Sequence, residues 1–220
     1  MRCTPWPPSM NNVDPDLLAS WLTARSIARG LPLPVPDHGG LRVDTGLPEE
    51  LCRHVFAGPD VGITELAHKI TDPRIVIKMC GTREQLLVRV TPRWHLQPPG
   101  YLMTKEPGRN PVPSLPPGYW MQVATEAAVT TARIFAEDDT LAASGYAVEY
   151  EGVFVFDRIA TDAAHQRQGL GAALMAALGT AQRSQAAQRV LVATEAGRAL
   201  YATLGWRVLS PYCTVALPND

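Results

Sequence analysis

The chain has 220 residues, enough to bury a substantial core as one large domain or two small ones. Its 20 basic and 21 acidic residues give a formal net charge of −1, which excludes a global field that would recruit nucleic acid or a membrane surface. No run of about 18 apolar residues occurs, and residues 1–10 lack the apolar core of a signal peptide. We therefore expect a cytoplasmic protein without a membrane span.

The cysteines and histidines predict no metal site. The four cysteines form no close pair and no zinc-like cluster, so we expect reduced thiols. Four of the five histidines are dispersed through the N-terminal half without the spacing of metal ligands. These residues are Cys3, Cys52, Cys80, Cys213, His38, His54, His68 and His95.

The first half of the chain predicts mixed helices and strands. An amphipathic helix is expected over residues 14–30, with Asp14 as N-cap, Pro15 in the first turn and Gly30 at the end. The pattern then favours further elements. These are a strand at 41–46, helices at 48–56 and 63–71, and a hairpin of 74–81 with 85–92 across Thr82-Arg83-Glu84.

Proline clusters at residues 97–118 indicate an extended connection between two parts of the chain. We therefore predict an N-terminal α/β region of unknown role at 1–112 and a second domain at 113–220. The second part predicts antiparallel strands, with turns at Asp138-Asp139 and Glu151-Gly152, and then a central buried strand. The expected strands are 119–125, 129–137, 141–150 and 153–161.

A glycine-containing segment from His165 to Met175 lies where that central strand gives way to a helix. The first amides of a helix lack internal partners, and glycines let a phosphate approach them. A dinucleotide fingerprint is excluded because Leu174 stands where its third glycine belongs, and a P-loop is excluded because Gly-Lys-Ser/Thr never occurs. An ordinary strand–helix turn is the alternative.

Two motifs resemble those of the GNAT acetyltransferase superfamily over about residues 119–216. Gln166-x-x-Gly169-x-Gly171 resembles its coenzyme A loop, and residues 200–206 resemble its Leu-Tyr-x-x-Leu-Gly-Phe signature, with Trp206 replacing Phe. Thr194 stands where many members have Asn. The resemblance implies an α/β fold with a mixed, mostly antiparallel central sheet flanked by helices. The N-terminal half is then either a degenerate GNAT-like copy or the source of early elements that the second half lacks, since no helices separate its first two strands.

The resemblance also implies a function, namely transfer of acetyl from acetyl-CoA to a primary amine, in the first place of a small molecule. A protein or peptide acetyltransferase and a catalytically inactive CoA-binding regulatory module are the alternatives, and a homodimer is left open. Tyr201 is the expected catalytic residue at the leaving thiol, with Asp157 and Glu149 as candidate general bases. The expected cofactor-binding residues are Ile159, Ala160, Thr161, Gln166, Arg167, Gln168, Gly169, Leu170, Gly171, Ala172 and Thr194.

Overall fold

The structure is a computed structural model that describes residues 13–106, 108 and 114–218. Within these residues a single sheet runs through both halves of the chain, and helices pack on its two faces. The helices are α1 (Pro15–Arg29), α2 (Val61–Lys69), α3 (Arg83–Leu87), α4 (Leu170–Gly179) and α5 (Glu195–Thr203). The strands are β1 (Val35–Asp37), β2 (Gly40–Asp44), β3 (Cys52–Phe56), β4 (Ile75–Cys80), β5 (His95–Leu96), β6 (Gly100–Lys105), β7 (Tyr119–Glu126), β8 (Val129–Ala136), β9 (Leu141–Tyr150), β10 (Val153–Thr161), β11 (Gln188–Thr194) and β12 (Arg207–Ala216).

The strand order is β1-β2-β3-β4-β12-β6-β11-β10-β9-β8-β7, and β5 pairs with β12 beside this path. Two strand pairs of this sheet are parallel, β3 with β4 and β10 with β11, and the other pairs are antiparallel. The expected mixed, mostly antiparallel sheet flanked by helices is therefore confirmed.

The two halves repeat one order of elements. In the first half, β3, α2, β4 and α3 are followed by the short strand β5 and then by β6. In the second half, β10, α4, β11 and α5 lead to β12, without a counterpart of β5. Each half exchanges its last strand with the other, because β6 pairs with β11, β12 pairs with β4, and β6 and β12 pair with each other. This repeat supports the expectation of a degenerate GNAT-like half at the N-terminus.

Helix α1 also serves the second half, because it packs against β9 and β10. Its local structure follows the sequence signals. Asp14 accepts a hydrogen bond from the Asp16 amide, Pro15 occupies the first turn, and Gly30 ends the helix in the left-handed region at φ 61°. The buried face of α1 includes Leu18, Trp21 and Leu22, which belong to one apolar cluster with residues of β10 and β11.

Two expectations for the first half are wrong. Residues 48–56 do not form a helix, because Cys52–Phe56 is the strand β3, buried at every position between β2 and β4. A strand buried on both faces shows no alternation, so its sequence resembles a short buried helix. The hairpin across Thr82 is also absent, since Thr82 and Gln85 form a capping box that begins α3.

The other expected elements are confirmed. The strand at 41–46 is β2, the helix at 63–71 is α2, and the four strands after the proline-rich connection are β7 to β10. The turns expected at Asp138-Asp139 and Glu151-Gly152 join β8 to β9 and β9 to β10, with positive φ at Asp139, Glu151 and Gly152.

The boundary predicted at 112/113 lies outside the described residues, as does Cys3. The cysteines at positions 52, 80 and 213 are buried free thiols. Among the described helices, none is long and apolar enough to cross a membrane.

Candidate functional site

The parallel strands β10 and β11 diverge, and this divergence creates the candidate site. They pair only from Val153 to Val155 on β10 and from Gln188 to Val190 on β11. On its other side, β10 is shifted against β9 by a bulge between Asp157 and Ala160, where Arg158 adopts φ 51°. Beyond Val155 the two strands therefore leave a slot through the sheet.

A cavity of about 220 Å³ occupies this slot. Four elements line it: α1, the far end of β10, the far end of β11, and α5. The cavity brings together four residues that the sequence singled out, namely Asp157, Ile159, Thr194 and Tyr201. Gly145 on β9 makes room for this arrangement, because a Cβ atom there would lie 2.4 Å from the Ile159 Cδ1 atom.

The N-terminus of α4 is open, unlike that of the other described helices. The N-caps of α1, α2, α3 and α5 each accept an amide hydrogen bond through a side chain. The N-cap of α4 is Gly169, at φ 78°, and it has no side chain to do so. The amides of Gly169, Leu170 and Gly171 donate to no described group, while those of Ala172 and Ala173 donate to the Gly169 carbonyl. Free amides at a helix N-terminus suit an anion.

This helix N-terminus lies beside the slot. A Cβ atom at Gly171 would come within 3.1 Å of the Leu200 Cδ2 atom on α5 and 4.0 Å of the Thr161 Oγ1 atom at the end of β10. Glycine at position 171 therefore lets α4 and α5 approach each other closely. The open amides of α4 therefore lie next to α5, the helix that carries Tyr201.

The equivalent place in the N-terminal half is closed. There β3 and β4 stay paired from Cys52 with Ile75 through Phe56 with Met79, so no slot opens. The side chain of Asp60 caps α2 by accepting from the Gly62 amide. A Cβ atom at Gly62 would lie 1.7 Å from the His38 carbonyl oxygen, so this turn is already filled.

Comparison with known proteins agrees with this geometry. The family model described as an acetyltransferase (GNAT) domain matches residues 124–208. Over these residues the chain is therefore similar to a GNAT acetyltransferase domain. They contain the open helix α4, the divergent strands β10 and β11, and Tyr201. A search of curated proteins finds no match.

Solved structures share this fold beyond the segment that the family model matches. A GCN5-related N-acetyltransferase from Kribbella flavida has 16% sequence identity and a TM-score of 0.65, over 95% of this chain and 97% of its own. A putative GNAT-family acetyltransferase from Novosphingobium aromaticivorans DSM 12444 has 15% identity and a TM-score of 0.56, over 91% and 97%. A tandem GNAT protein from the clavulanic acid biosynthesis pathway has 16% identity and a TM-score of 0.50, over 71% and 68%.

Within the residues that match the GNAT family model, Tyr201 is buried in α5 and lines the cavity. Burial raises the pKa of this phenol to about 12, so it stays protonated at neutral pH. No hydrogen bond joins its hydroxyl to another described residue, and the side chain lines the cavity. Thr194, at the start of α5, is instead engaged locally, since its hydroxyl accepts from the Gly197 amide at 3.2 Å.

Asp157 lines the same cavity but is held by two arginines of α1. Arg29 donates to it from Nε at 2.5 Å and from Nη2 at 2.9 Å, and the Arg25 Nε atom lies 3.4 Å away. Burial raises the pKa of this carboxyl, but the hydrogen bonds from Arg29 and the charges of Arg25 and Arg29 lower it further, and the net shift is downward. A carboxylate stabilised in its charged form is a weak proton acceptor near neutral pH.

The structure does not bring Glu149 to the cavity. Glu149 pairs across the strands with Phe154, near the first residues of β10, and Asp157 lies three residues further along. The Glu149 carboxylate accepts from the amides of Arg183 and Ser184, at 2.6 and 3.1 Å, and so supports the loop before β11.

Sequence reasoning missed Arg25 and Arg29. Both lie in the last two turns of α1, four residues apart, so they share one face of the helix and reach Asp157 together. Two arginines with this spacing on the buried side of an amphipathic helix are a recognisable signal. The helix, however, belongs to the half of the chain that the motifs do not cover.

Proposed function

We propose that the protein transfers an acetyl group from acetyl-CoA to the primary amine of a small molecule. The observation that supports this proposal is the proximity of two features. The uncapped N-terminus of α4 approaches α5 at Gly171 and Leu200, and α5 also carries Tyr201, which lines the cavity between β10 and β11.

The residues present fit coenzyme A, whose thioester would supply the activated acetyl group. The diphosphate would bind the amides of Gln168 to Gly171, with Arg167 offering positive charge and Gln166 completing the loop, whereas the Ala172 amide already donates to the Gly169 carbonyl. Its pantetheine arm would lie along Ile159, Ala160 and Thr161, where the bulge releases β10 from regular pairing with β9. Thr194 faces the same cavity from β11.

Tyr201 acts as a hydrogen-bond donor to the leaving thiol. Its pKa of about 12 lies well above that of a thiol, near 8.5. Complete proton transfer from the phenol to the thiolate is therefore unfavourable by about 3.5 pKa units, or roughly 5 kcal/mol. A donated hydrogen bond stabilises charge that develops on the sulfur without that cost, while the amine's own proton leaves by another route.

A small acceptor fits better than a peptide. The cavity of about 220 Å³ is below the usual size of ligand pockets, and α1 covers it from the side opposite α4. Of the two candidate bases only Asp157 lines the cavity, and its hydrogen bonds from Arg29, which stabilise the charged carboxylate, disfavour that role. Protein or peptide acetylation and an inactive CoA-binding module stay the alternatives.

Free thiol release from acetyl-CoA, measured with amino acids, polyamines, aminoglycosides and peptides as acceptors, tests this function. We expect Tyr201→Phe to lower turnover at least about tenfold, because one donor to developing charge is lost. Calorimetry should show nearly unchanged affinity for coenzyme A. Tyr150→Phe, on β9 and outside the residues that line the cavity, is the matched control and should keep wild-type turnover.

Three outcomes contradict parts of the proposal. Wild-type turnover in Tyr201→Phe removes the role of this residue. Binding of acetyl-CoA without turnover on any amine favours the inactive module. Absence of any binding heat with acetyl-CoA overturns the enzyme assignment as a whole.

A further inference from the structure

Beneath the second half of α1, positive side chains outnumber negative ones. Six ionisable side chains form this cluster, and each is less than a fifth exposed. The four cations are Arg25, Arg29, Arg53 and Lys78, and the two carboxylates are Glu50 and Asp157. Two positive charges therefore have no counterpart in the cluster. Burying uncompensated charge is unfavourable unless a ligand or counter-ion balances it.

The ion pairs within this cluster leave Arg25 with the weakest partner. Arg29 takes both oxygens of Asp157, while Arg53 and Lys78 share Glu50. Arg25 is left with a single contact, from its Nε atom to Asp157 at 3.4 Å. Arginine has five N–H donors, so most of the donors of Arg25 are unused by described residues.

Further buried donors without partners surround this guanidinium. The Arg25 Cζ atom lies 5.5 Å from the centre of the Trp21 ring, which in turn is 5.7 Å from the Tyr212 ring. The Trp21 Nε1 atom, the Arg53 Nε atom and the Tyr212 hydroxyl find no partner among the described residues, and neither does the Arg25 Nη1 atom. Trp21, Arg53 and Tyr212 are each at least 95% buried. Native proteins rarely leave buried donors unpaired, so these groups indicate an absent acceptor of hydrogen bonds.

The electrostatics agree with that reading. Burial and the charges of Arg29 and Arg53 lower the pKa of Arg25 to about 10. Burial, with Arg53 and Arg25, lowers the pKa of Lys78 to about 8, although Glu50 acts against this shift. Both side chains are thus destabilised in their charged forms, and an added anion would relieve them.

The position of Arg25 connects this cluster to the reaction. Arg25 lines the same cavity as Tyr201, from the α1 side of the sheet. We propose that Arg25 binds a carboxylate of the acceptor, so that the substrates are small amines that also carry a carboxylate, as amino acids do. This proposal rests on the proposed function. A planar guanidinium with unused donors matches a carboxylate through two parallel hydrogen bonds.

Matched pairs of acceptors test this specificity: L-amino acids and the corresponding L-amino acid amides, which lack the negative charge. We expect the wild-type protein to prefer the acids by about 30-fold in kcat/KM, as for loss of a hydrogen-bonded charge pair. Arg25→Met should abolish the preference by raising KM for the acids, so that this variant no longer distinguishes the acids from the amides. Arg25→Lys should restore part of it. Arg133→Met, an exposed site on β8, is the control for net charge.

A binding measurement separates this proposal from the proposed function. In the presence of coenzyme A, calorimetry should show that the wild-type protein binds the acids more tightly than the amides. Arg25→Met should remove this difference in affinity. If this holds while no amine is acetylated, the carboxylate site stands and the acetyltransferase function fails. If acids and amides bind and react equally in the wild type, or if Arg25→Met weakens both alike, the carboxylate site is wrong.

Discussion

Asp157→Asn is the substitution whose cost the structure specifies best. Asp157 is the negative partner of two arginines, and the three side chains are 10%, 14% and 16% exposed. Removing its charge leaves two guanidiniums in a cluster that already has excess positive charge. Loss of one partner from a buried ion pair costs about 3–5 kcal/mol. Asparagine retains one oxygen that accepts from Arg29, so we expect the lower end, about 3 kcal/mol.

Urea unfolding of the wild type, Asp157→Asn, Arg29→Met and the double variant measures this cost. Arg29→Met removes the cation closest to Asp157. In the Arg29→Met background, Asp157→Asn should therefore lower the free energy of unfolding by less than it does in the wild type. We expect a coupling free energy of at least about 1 kcal/mol, since residues in one ion-pair network are not additive. The slope of unfolding against urea should stay constant across the four proteins.

Two results would refute this reasoning. A loss of stability below about 1 kcal/mol in Asp157→Asn means that the arginines do not need the carboxylate. Strict additivity in the double variant means that Arg29 and Asp157 are independent. The same variant also tests the base assignment. A large fall in turnover with a changed pH profile at unchanged stability indicates a chemical role for Asp157 in place of a structural one.

Three further predictions concern the slot and its surroundings. Gly169→Ala forces alanine into a backbone with φ 78°, so it should cost about 1–2 kcal/mol of stability and weaken coenzyme A binding in calorimetry. Gly152→Ala is the control, because Gly152 has φ 80° in the β9–β10 turn and, like Gly169, no neighbour within 4 Å of an added Cβ atom. It should cost the same stability without affecting binding. Gly145→Ala places a Cβ atom 2.4 Å from Ile159 Cδ1, so thermal unfolding should show a loss of about 1–3 kcal/mol and KM for acetyl-CoA should rise. The pKa of Asp157 is lower in the folded protein than its ordinary value of 3.8, so this carboxylate contributes its full stability above pH 3.8. That stability is lost as the pH falls through the folded-state pKa. Acid unfolding of Asp157→Asn should therefore be less steep than that of the wild type.

Local signals in the sequence predicted the elements whose chemistry is local. Asp14, Pro15 and Gly30 bounded α1 correctly, and the Gly169-containing loop was placed correctly between β10 and α4. These predictions succeed because caps and glycines act within a few residues of the backbone that they shape. The approach of this loop to the Tyr201 segment is instead a tertiary contact, between Gly171 on α4 and Leu200 on α5.

Long-range pairing accounts for what the sequence could not predict. The strand β3 has no alternating pattern because it is buried on both faces, and its identity depends on β4, which lies beyond a helix. The exchange of β6 and β12 between the halves leaves no local trace in either strand. The positive cluster beneath α1 likewise combines residues from positions 25 to 157, so no short segment of sequence contains it.

The segment that matches the GNAT family does not contain its whole site. The slot exists because β11 no longer pairs with β10 after Val190. Beyond that residue, β11 depends on backbone pairing along its other edge. That neighbour is β6, which pairs with β11 from Arg189 to Thr194, along the edge that β10 abandons. The N-terminal half also supplies α1, whose arginines form the wall facing Tyr201. The N-terminal half, whose own strands β3 and β4 stay paired, therefore supports the slot of the other half through β6, and its helix α1 lines the side where we propose that the acceptor binds.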